Sequence, residues 1–301
     1  MNRQAPVQLD LFLDSRTVIL ANEVIGSLLA RDAARAAACR DRLREQEPGY
    51  HALAELDTLS RALAEWPFPM STSAEIAAAV RHLETEVQPA ARGTLGENAA
   101  EFMLPFWRSL AQAARAHPYD AASPESHCAA LHLRSGDARA ALAAAVSIPA
   151  WRTLADALHW IAVARYRLEG PDACRAPLFL LAWRAPDRLP RTIVELHDAL
   201  LENDWRAFDL ACDWLDADDA GRAAWFPAWS LLENPALQFD AQTTANAAPT
   251  PAAQAFFCVE RLLDLEKRGY SPALVAARAR LREIDPDLFA FYMARRAVHH
   301  R

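Results

Sequence analysis

The chain has 301 residues, of which 52% are apolar and 24% charged, a composition typical of a folded protein rather than a disordered one. Its net charge of −7 argues against a general nucleic-acid binder, which usually carries a basic face, so we expect no direct nucleic-acid contact. Five cysteines, odd in number and far apart, exclude a disulfide framework and predict buried thiols in a reducing cytoplasm.

The residue composition favours helix throughout. Only 8 residues are Gly while Ala is abundant, and no run of alternating Val, Ile, Thr or Tyr predicts a strand. No secretory signal is recognisable, and no stretch reaches the roughly 18 apolar residues that a membrane span needs. We therefore expect an all-α, cytoplasmic protein without membrane contact.

The first two helices are predicted to form an αα-hairpin. The first starts near Asp14 or Ser15, either of which can cap a helix, so residues 1–13 are predicted to form an N-terminal arm. A break before Asp32 separates it from a second helix, which ends before Pro48. An apolar face at helical spacing marks the first helix, formed by Val18, Ala21, Ile25, Leu28 and Leu29.

An aspartate-led pattern recurs at the predicted turns. It reads RDAARAAA at 31–38, GDARAALA at 136–143, PDACRAPL at 171–178 and NDWRAFDL at 203–210. In each stretch an Asp that can cap a helix is followed by Arg and then Ala, and these aspartates are Asp32, Asp137, Asp172 and Asp204. The last three are 35 and 32 residues apart, and the first gap of 105 is three times 35. Such a period with helix-turn-helix content indicates a helical solenoid.

On these residues the chain resembles the tetratricopeptide family, whose repeat is about 34 residues long. In that family the second helix starts with a Gly-Asp-like pair, has Ala four residues after the Asp and ends at Pro, as do Asp32, Ala36 and Pro48 here. Residues 269–286 have the same length and the same Asp-Pro ending. The resemblance covers about half of the chain, and residues 50–127 depart from it. It implies an all-α solenoid of antiparallel helix pairs.

Three segments are predicted to interrupt the helices. WPFPM at 66–70 predicts a rigid hinge, residues 86–98 a loop, and residues 234–253 a long, mobile connection. Beyond that connection, residues 256–297 are predicted to form two or three helices that close the stack. The predicted organisation is thus an N-terminal arm followed by one α-helical repeat domain, residues 14–301.

The sequence contains none of the motifs GxxxxGK[ST], GxGxxG, HExxH, CxxC or GxSxG. His127, Cys128 and His132 lie close together, but a spacing of five residues directs the two imidazoles differently on a helix and favours a structural role over a metal site. The acidic run 213–221 resembles a calcium loop, yet Ala220 replaces an oxygen ligand, so it predicts a solvated helix end. We expect no enzyme activity, no cofactor and no metal.

Nine Trp residues stand out in a chain of this length. Trp151 shares a helical face with Leu154, Leu158 and Ile161, which predicts core packing. The alternative is that one or two Trp side chains line a concave groove and grip a peptide, as aromatic anchors do at interfaces.

The pentapeptide QLDLF consists of Gln8, Leu9, Asp10, Leu11 and Phe12. It resembles the motif by which bacterial replication and repair proteins dock on the DNA polymerase sliding clamp, commonly Gln-Leu, Ser or Asp, then Leu-Phe. The resemblance implies that Leu9, Leu11 and Phe12 fill the clamp's apolar pocket while Gln8 hydrogen-bonds at its rim. The alternative is that the three apolar side chains fold over the end of the first hairpin as a structural cap.

Two functions follow from these patterns. The first is a non-enzymatic adaptor that binds a protein partner through its helical repeats, an expectation that rests on fold-level analogy. The alternative is a DNA replication or repair factor whose partner is the sliding clamp, bound through residues 8–12. Substituting Leu11 and Phe12 separates docking from capping, because only a cap contributes to thermal stability.

Overall fold

A computed structural model describes the backbone of residues 8–211, 219–237, 239 and 250–299, and the side chains of 16–211, 221–237, 239 and 250–296. Every regular element in these ranges is helical and none is a strand, which confirms the all-α prediction. In the same ranges, no helix combines the length and the apolar character that crossing a membrane requires.

The chain divides into two compact units, Met1–Gly136 and Asp137–Arg301. The first unit contains seven α-helices in its described part, together with a π-helical turn, Leu83–Val87, that joins the fourth to the fifth. These helices are α1 (Gln8–Leu29), α2 (Ala33–Gln46), α3 (Leu53–Ala64), α4 (Ser73–His82), α5 (Gln88–Leu95), α6 (Ala99–Ala114) and α7 (Cys128–Arg134).

The described part of the second unit contains ten α-helices. They are α8 (Ala138–Val146), α9 (Ala155–Glu169), α10 (Pro171–Arg184), α11 (Leu189–Leu196), α12 (Ala199–Ala211), α13 (Asp219–Ala223), α14 (Phe226–Glu233), α15 (Pro251–Lys267), α16 (Pro272–Ile284) and α17 (Pro286–His299). Consecutive helices pack on each other along much of the chain, as in the runs α1 to α3, α8 to α10 and α15 to α17.

The first hairpin has the predicted turn and end but an earlier start. The backbone N–H of Arg35 donates to Asp32 Oδ1 at 3.0 Å, so Asp32 caps α2, and α2 ends at Gln46. Helix α1 begins at Gln8 rather than near Asp14, and residues 8–13 of the predicted arm are therefore helical. A residue that can cap a helix can also lie within one, and no Pro interrupts residues 8–29.

The capping role predicted for four aspartates holds for two of them. Asp137 caps α8, because the Ala140 N–H donates to its Oδ1 at 2.9 Å. Asp172 is the second residue of α10, which starts at Pro171, and Asp204 lies in the middle of α12. Both cap predictions were wrong, because Pro favours the first helical position and Asp198 already accepts the free N–H groups of α12.

Residues 86–98 were predicted as a loop, and that prediction was wrong. They form the end of the π-helical turn, helix α5 and a 3-10 turn, Gly96–Asn98. From Leu83 onward, apolar residues recur at a spacing of four, and the four that do so are buried: Leu83, Val87, Ala91 and Leu95. This helical period outweighs the local effect of one Pro and two Gly, since burial of a continuous apolar face stabilises the helix.

The other predicted segments agree with the structure where it describes them. Residues 66–70 are non-helical between α3 and α4, as predicted. The connection predicted at 234–253 lies largely outside the described residues, and α15 begins at Pro251 with Thr250 as its cap. The predicted closing helices at 256–297 are present as α15, α16 and α17.

Aromatic side chains dominate the core of the second unit. The rings of Phe208 and Phe226 lie 5.5 Å apart, and those of Phe179 and Phe256 lie 5.4 Å apart. Five Trp side chains are buried, which confirms core packing for them: Trp107, Trp151, Trp160, Trp183 and Trp229. Three more are half-buried, namely Trp66, Trp205 and Trp225, while Trp214 lies outside the described residues.

Candidate functional site

The five predicted docking residues, Gln8, Leu9, Asp10, Leu11 and Phe12, occupy the first turns of α1. Their side chains lie outside the described part of the chain, so neither docking nor capping can be read from contacts. Later in the same helix the side chains of Val18 and Ile19 are 53% and 57% exposed.

A pocket of about 310 Å³ opens between α14, α15 and α17 in the second unit. We call it the basic pocket. Its volume lies at the lower end of the range of small-ligand sites. The described residues that line it are Leu232, Pro235, Leu263, Glu266, Lys267, Tyr292, Arg295 and Arg296.

One wall of the basic pocket is organised around the carboxylate of Glu266. Its Oε1 atom accepts hydrogen bonds from the Tyr292 hydroxyl and from Arg278 Nη2 at 3.2 Å, and it forms an ion pair with Arg296 Nε at 2.9 Å. Arg278 also donates from Nε to the Tyr292 oxygen at 3.0 Å. Three helices contribute to this network, so the wall is held in one geometry by charge-assisted hydrogen bonds.

The Tyr292 phenol stays protonated across the physiological pH range. Its side chain is only 1% exposed, and burial together with the hydrogen bond to Glu266 raises its pKa above the ordinary value. Burial disfavours the phenolate, and the neighbouring carboxylate repels it. Tyr292 therefore acts as a constant donor to Glu266.

A second ion pair closes the pocket rim. Arg295 donates from Nη2 to Glu233 Oε1, and its guanidinium carbon lies 5.3 Å from the centre of the Phe291 ring. The apolar floor comes from Leu232, Leu263 and Pro235. This combination of an apolar floor and a cationic rim fits a ligand that carries an apolar group next to a negative charge.

The described lining residues carry three cations, Lys267, Arg295 and Arg296, and one carboxylate, Glu266. The charged groups paired with them, Arg278 and Glu233, add one charge of each sign. Among these described groups the positive charges outnumber the negative ones by two, in a chain whose net charge is −7. A local field of this sign attracts an anionic group.

A second cluster has the composition of a catalytic site but not the geometry. His159 Nδ1 lies 3.0 Å from Thr192 Oγ1, and His159 Nε2 lies 3.4 Å from Glu195 Oε2. A nucleophilic hydroxyl must be accessible and must give its proton to the imidazole. Thr192 is 2% exposed and donates its proton to the Arg188 carbonyl at 3.1 Å, so the cluster links α9 to α11 instead.

His159 is neutral at physiological pH. Burial is the main cause that lowers its pKa, opposed by the carboxylate of Glu195. The neutral ring carries one N–H, so it can donate to Thr192 or to Glu195 but not to both. Only the protonated ring donates from both nitrogens.

The metal-like patterns in the sequence have structural positions where they are described. His127 caps α7, because its Nδ1 accepts the Ala129 N–H at 3.2 Å, and burial lowers its pKa. Within the described ranges no three His, Cys, Asp or Glu side chains converge as metal ligands would. The run 213–221 lies mainly outside those ranges.

The cysteines follow the prediction of buried thiols where they are described. Cys39, Cys128 and Cys174 are buried and Cys258 is half-buried, and all four are free. Burial raises the pKa of Cys174 to about 12 and that of Cys128 and Cys258 above the ordinary value. Such thiols are unreactive at neutral pH, since the thiolate is the nucleophile. Cys212 lies outside the described residues.

Comparisons with family models, with curated proteins and with solved structures give no match to this chain.

Proposed function

We propose that this chain is a non-enzymatic, cytoplasmic adaptor that receives a segment of a protein partner in the basic pocket. The observation that carries the proposal is the pocket itself, with its apolar floor next to an excess of positive charge. Interfaces place apolar anchors in such pockets and surround them with charged groups that select the partner.

The scaffold part of the proposal is a tetratricopeptide-like stacking of helix pairs within each unit. Consecutive helices pack on each other, and α16 ends at the Asp-Pro pair that the resemblance marks. A stack of this kind presents long surfaces for binding, so it suits an adaptor, although the fold alone does not imply the function.

A crosslinking experiment in cells tests the adaptor role. The photoreactive residue p-benzoylphenylalanine replaces Ala236, an exposed residue next to Pro235 of the pocket lining. The matched control places it at Arg282, which is exposed on α16 and outside the pocket. We expect discrete protein adducts from position 236 that are absent from position 282. Equal adduct patterns at both positions would refute a partner at the pocket.

A second candidate function rests on QLDLF at residues 8–12. All five residues match the sliding-clamp motif, and we propose clamp docking as the alternative that this match favours. Since residues 8–12 begin α1, an extended docking peptide would have to leave the first turns of the helix. Helix ends open at little cost, because their first N–H groups lack partners within the helix.

Clamp binding of the full-length protein tests this alternative. The docking variant carries Leu11→Ala and Phe12→Ala, and the matched control carries Val18→Ala and Ile19→Ala in the exposed part of the same helix. Docking predicts that only the first variant loses binding and that its thermal stability stays unchanged. A loss of stability with the first variant would instead favour a structural cap.

A further inference from the structure

The geometry points to the chemical class of the segment that the basic pocket takes: an acidic peptide with an apolar anchor, in which a carboxylate lies next to a leucine-like side chain. This inference rests on the adaptor function proposed above and names the partner's contacting chemistry. It assigns the carboxylate to the rim at Lys267 and the apolar side chain to the floor at Leu232 and Leu263.

The carboxylates already in the pocket do not prevent the binding of an anionic ligand. Glu266 accepts hydrogen bonds from Tyr292 and Arg278 and pairs with Arg296, while Arg295 engages Glu233. Both carboxylates are therefore held by cations of the protein itself. The ammonium of Lys267 is exposed at the rim, where a ligand arrives.

The floor of the pocket selects an apolar partner group. Leu263 is half-buried, Leu232 is 4% exposed and Pro235 is exposed. An apolar side chain laid across them removes from water the surface that the pocket leaves open. A volume of about 310 Å³ holds one large side chain with an adjoining carboxylate, and not a folded domain.

A nucleic acid fits the same pocket less well than a peptide does. A polyanion needs several phosphate contacts spread along a basic surface, and the whole chain carries −7. Arg278, Arg295 and Arg296 each direct a donor to a carboxylate of the protein, which leaves fewer guanidinium edges for bidentate phosphate binding. The apolar floor also has no role in a phosphate site.

The test measures the anisotropy of a fluorescein-labelled peptide, Gly-Ser-Asp-Leu-Leu-Asp-Ser-Gly, added to the full-length protein. Two matched peptides replace both Asp by Asn or both Leu by Ala. We expect each replacement to weaken binding by about tenfold, because each removes one of the two recognised groups. Equal affinity of all three peptides, or no binding of the first, would overturn the inference.

Two protein variants place the binding in the pocket. Lys267→Glu reverses a charge at the rim and should lower the affinity for the acidic peptide by about fivefold. Arg282→Glu makes the same change in net charge outside the pocket and should leave the affinity unchanged. Equal losses in both variants would mean that total charge, and not the pocket, attracts the peptide, and would overturn the inference.

A labelled single-stranded oligonucleotide serves as the competing probe. Tighter binding of the oligonucleotide than of the peptide, with the same sensitivity to Lys267→Glu, would overturn the inference in favour of nucleic acid. Failure of the adaptor role is a separate result. Binding of the acidic peptide without cellular adducts at position 236 would retain the ligand chemistry and refute a protein partner. Adducts at position 236 without binding of the acidic peptide would retain the protein partner and overturn the inferred ligand chemistry.

Discussion

Replacing Glu266 by Gln should separate the stability of the basic pocket from its affinity for anions. The side chain of Glu266 is 18% exposed, accepts a hydrogen bond from Tyr292 and pairs with two guanidinium groups, those of Arg278 and Arg296. An amide oxygen in the same place still accepts a hydrogen bond from Tyr292 but carries no charge. Stability should fall, and binding of an acidic peptide should become tighter because the pocket gains a positive charge.

The magnitude follows from the bonds that change. A hydrogen bond to a charged group contributes about 1.5–3 kcal/mol, and removing one partner of a buried ion pair costs about 3–5 kcal/mol. Arg278 and Arg296 are 22% and 28% exposed, so water recovers part of this loss. We expect about 1–2 kcal/mol for Glu266→Gln, and about 2–4 kcal/mol for Glu266→Ala, which leaves the Tyr292 hydroxyl without its acceptor.

Urea unfolding followed by circular dichroism measures both variants. Asp264→Asn is the matched control, since Asp264 lies in the same helix and pairs with Arg268 at 2.7 Å, but 56% of its side chain is exposed. A surface pair of this kind contributes at most about 0.5 kcal/mol. Two results would contradict a stabilising role of the Glu266 network that also lowers the positive charge of the pocket. One is a loss of unfolding free energy in Glu266→Gln no larger than that in Asp264→Asn, and the other is a lower affinity of Glu266→Gln for the acidic peptide.

Three further changes test other parts of the structure. Asp137→Ala should destabilise by about 1 kcal/mol in urea unfolding and Asp137→Asn by much less, because Asn also caps a helix. The lowered pKa of His159 makes the unfolded chain bind the proton more readily, so stability should fall as pH drops below about 6.5, and His159→Gln should reduce this fall. Arg31→Ala removes a guanidinium 4.6 Å from the centre of the Phe106 ring and should cost about 1–2 kcal/mol.

Each of these changes has a result that would contradict it. Equal stabilities of Asp137→Ala and Asp137→Asn would mean that the cap bond does not contribute. An unchanged pH dependence in His159→Gln would assign the acid sensitivity to other groups. A cost for Arg31→Ala below that of a typical exposed substitution would mean that the ring contact is not stabilising.

Residues that start or stop a helix predicted much of the fold. The end of α2 before Pro48 and the end of α16 before Pro286 follow from residues that cannot continue a helix. The same local logic failed at 86–98, where Pro and Gly favoured a loop while the apolar period of four favoured helix. Tertiary burial decided that competition, and only the period signals it in the sequence.

The same residue type in similar stretches had different structural roles for the same reason. Asp137 and Asp204 occur in similar stretches, but only Asp137 caps a helix. Asp204 lies within α12, which is capped by Asp198. The spacing of 35 and 32 residues thus matches residue types without matching helix starts. An Asp caps a helix only where the backbone after it becomes helical, and the neighbouring residue types determine that only in part.

The basic pocket could not be predicted from the sequence. Glu266, Arg278 and Tyr292 come from three helices and are brought together by packing alone. Even Arg295 and Arg296, adjacent in the sequence, engage different carboxylates, Glu233 and Glu266. The Thr192–His159 contact, across 33 residues of sequence, was missed in the same way.

Methyl NMR of the full-length protein titrated with the acidic peptide tests whether the ligand lies in the basic pocket. The leucines of the pocket floor, Leu232 and Leu263, are compared with Leu56 and Leu59, which are buried in the first unit. We expect saturable shifts at Leu232 and Leu263 and none at Leu56 and Leu59. Bound peptide that leaves both floor leucines unshifted would contradict binding in the basic pocket.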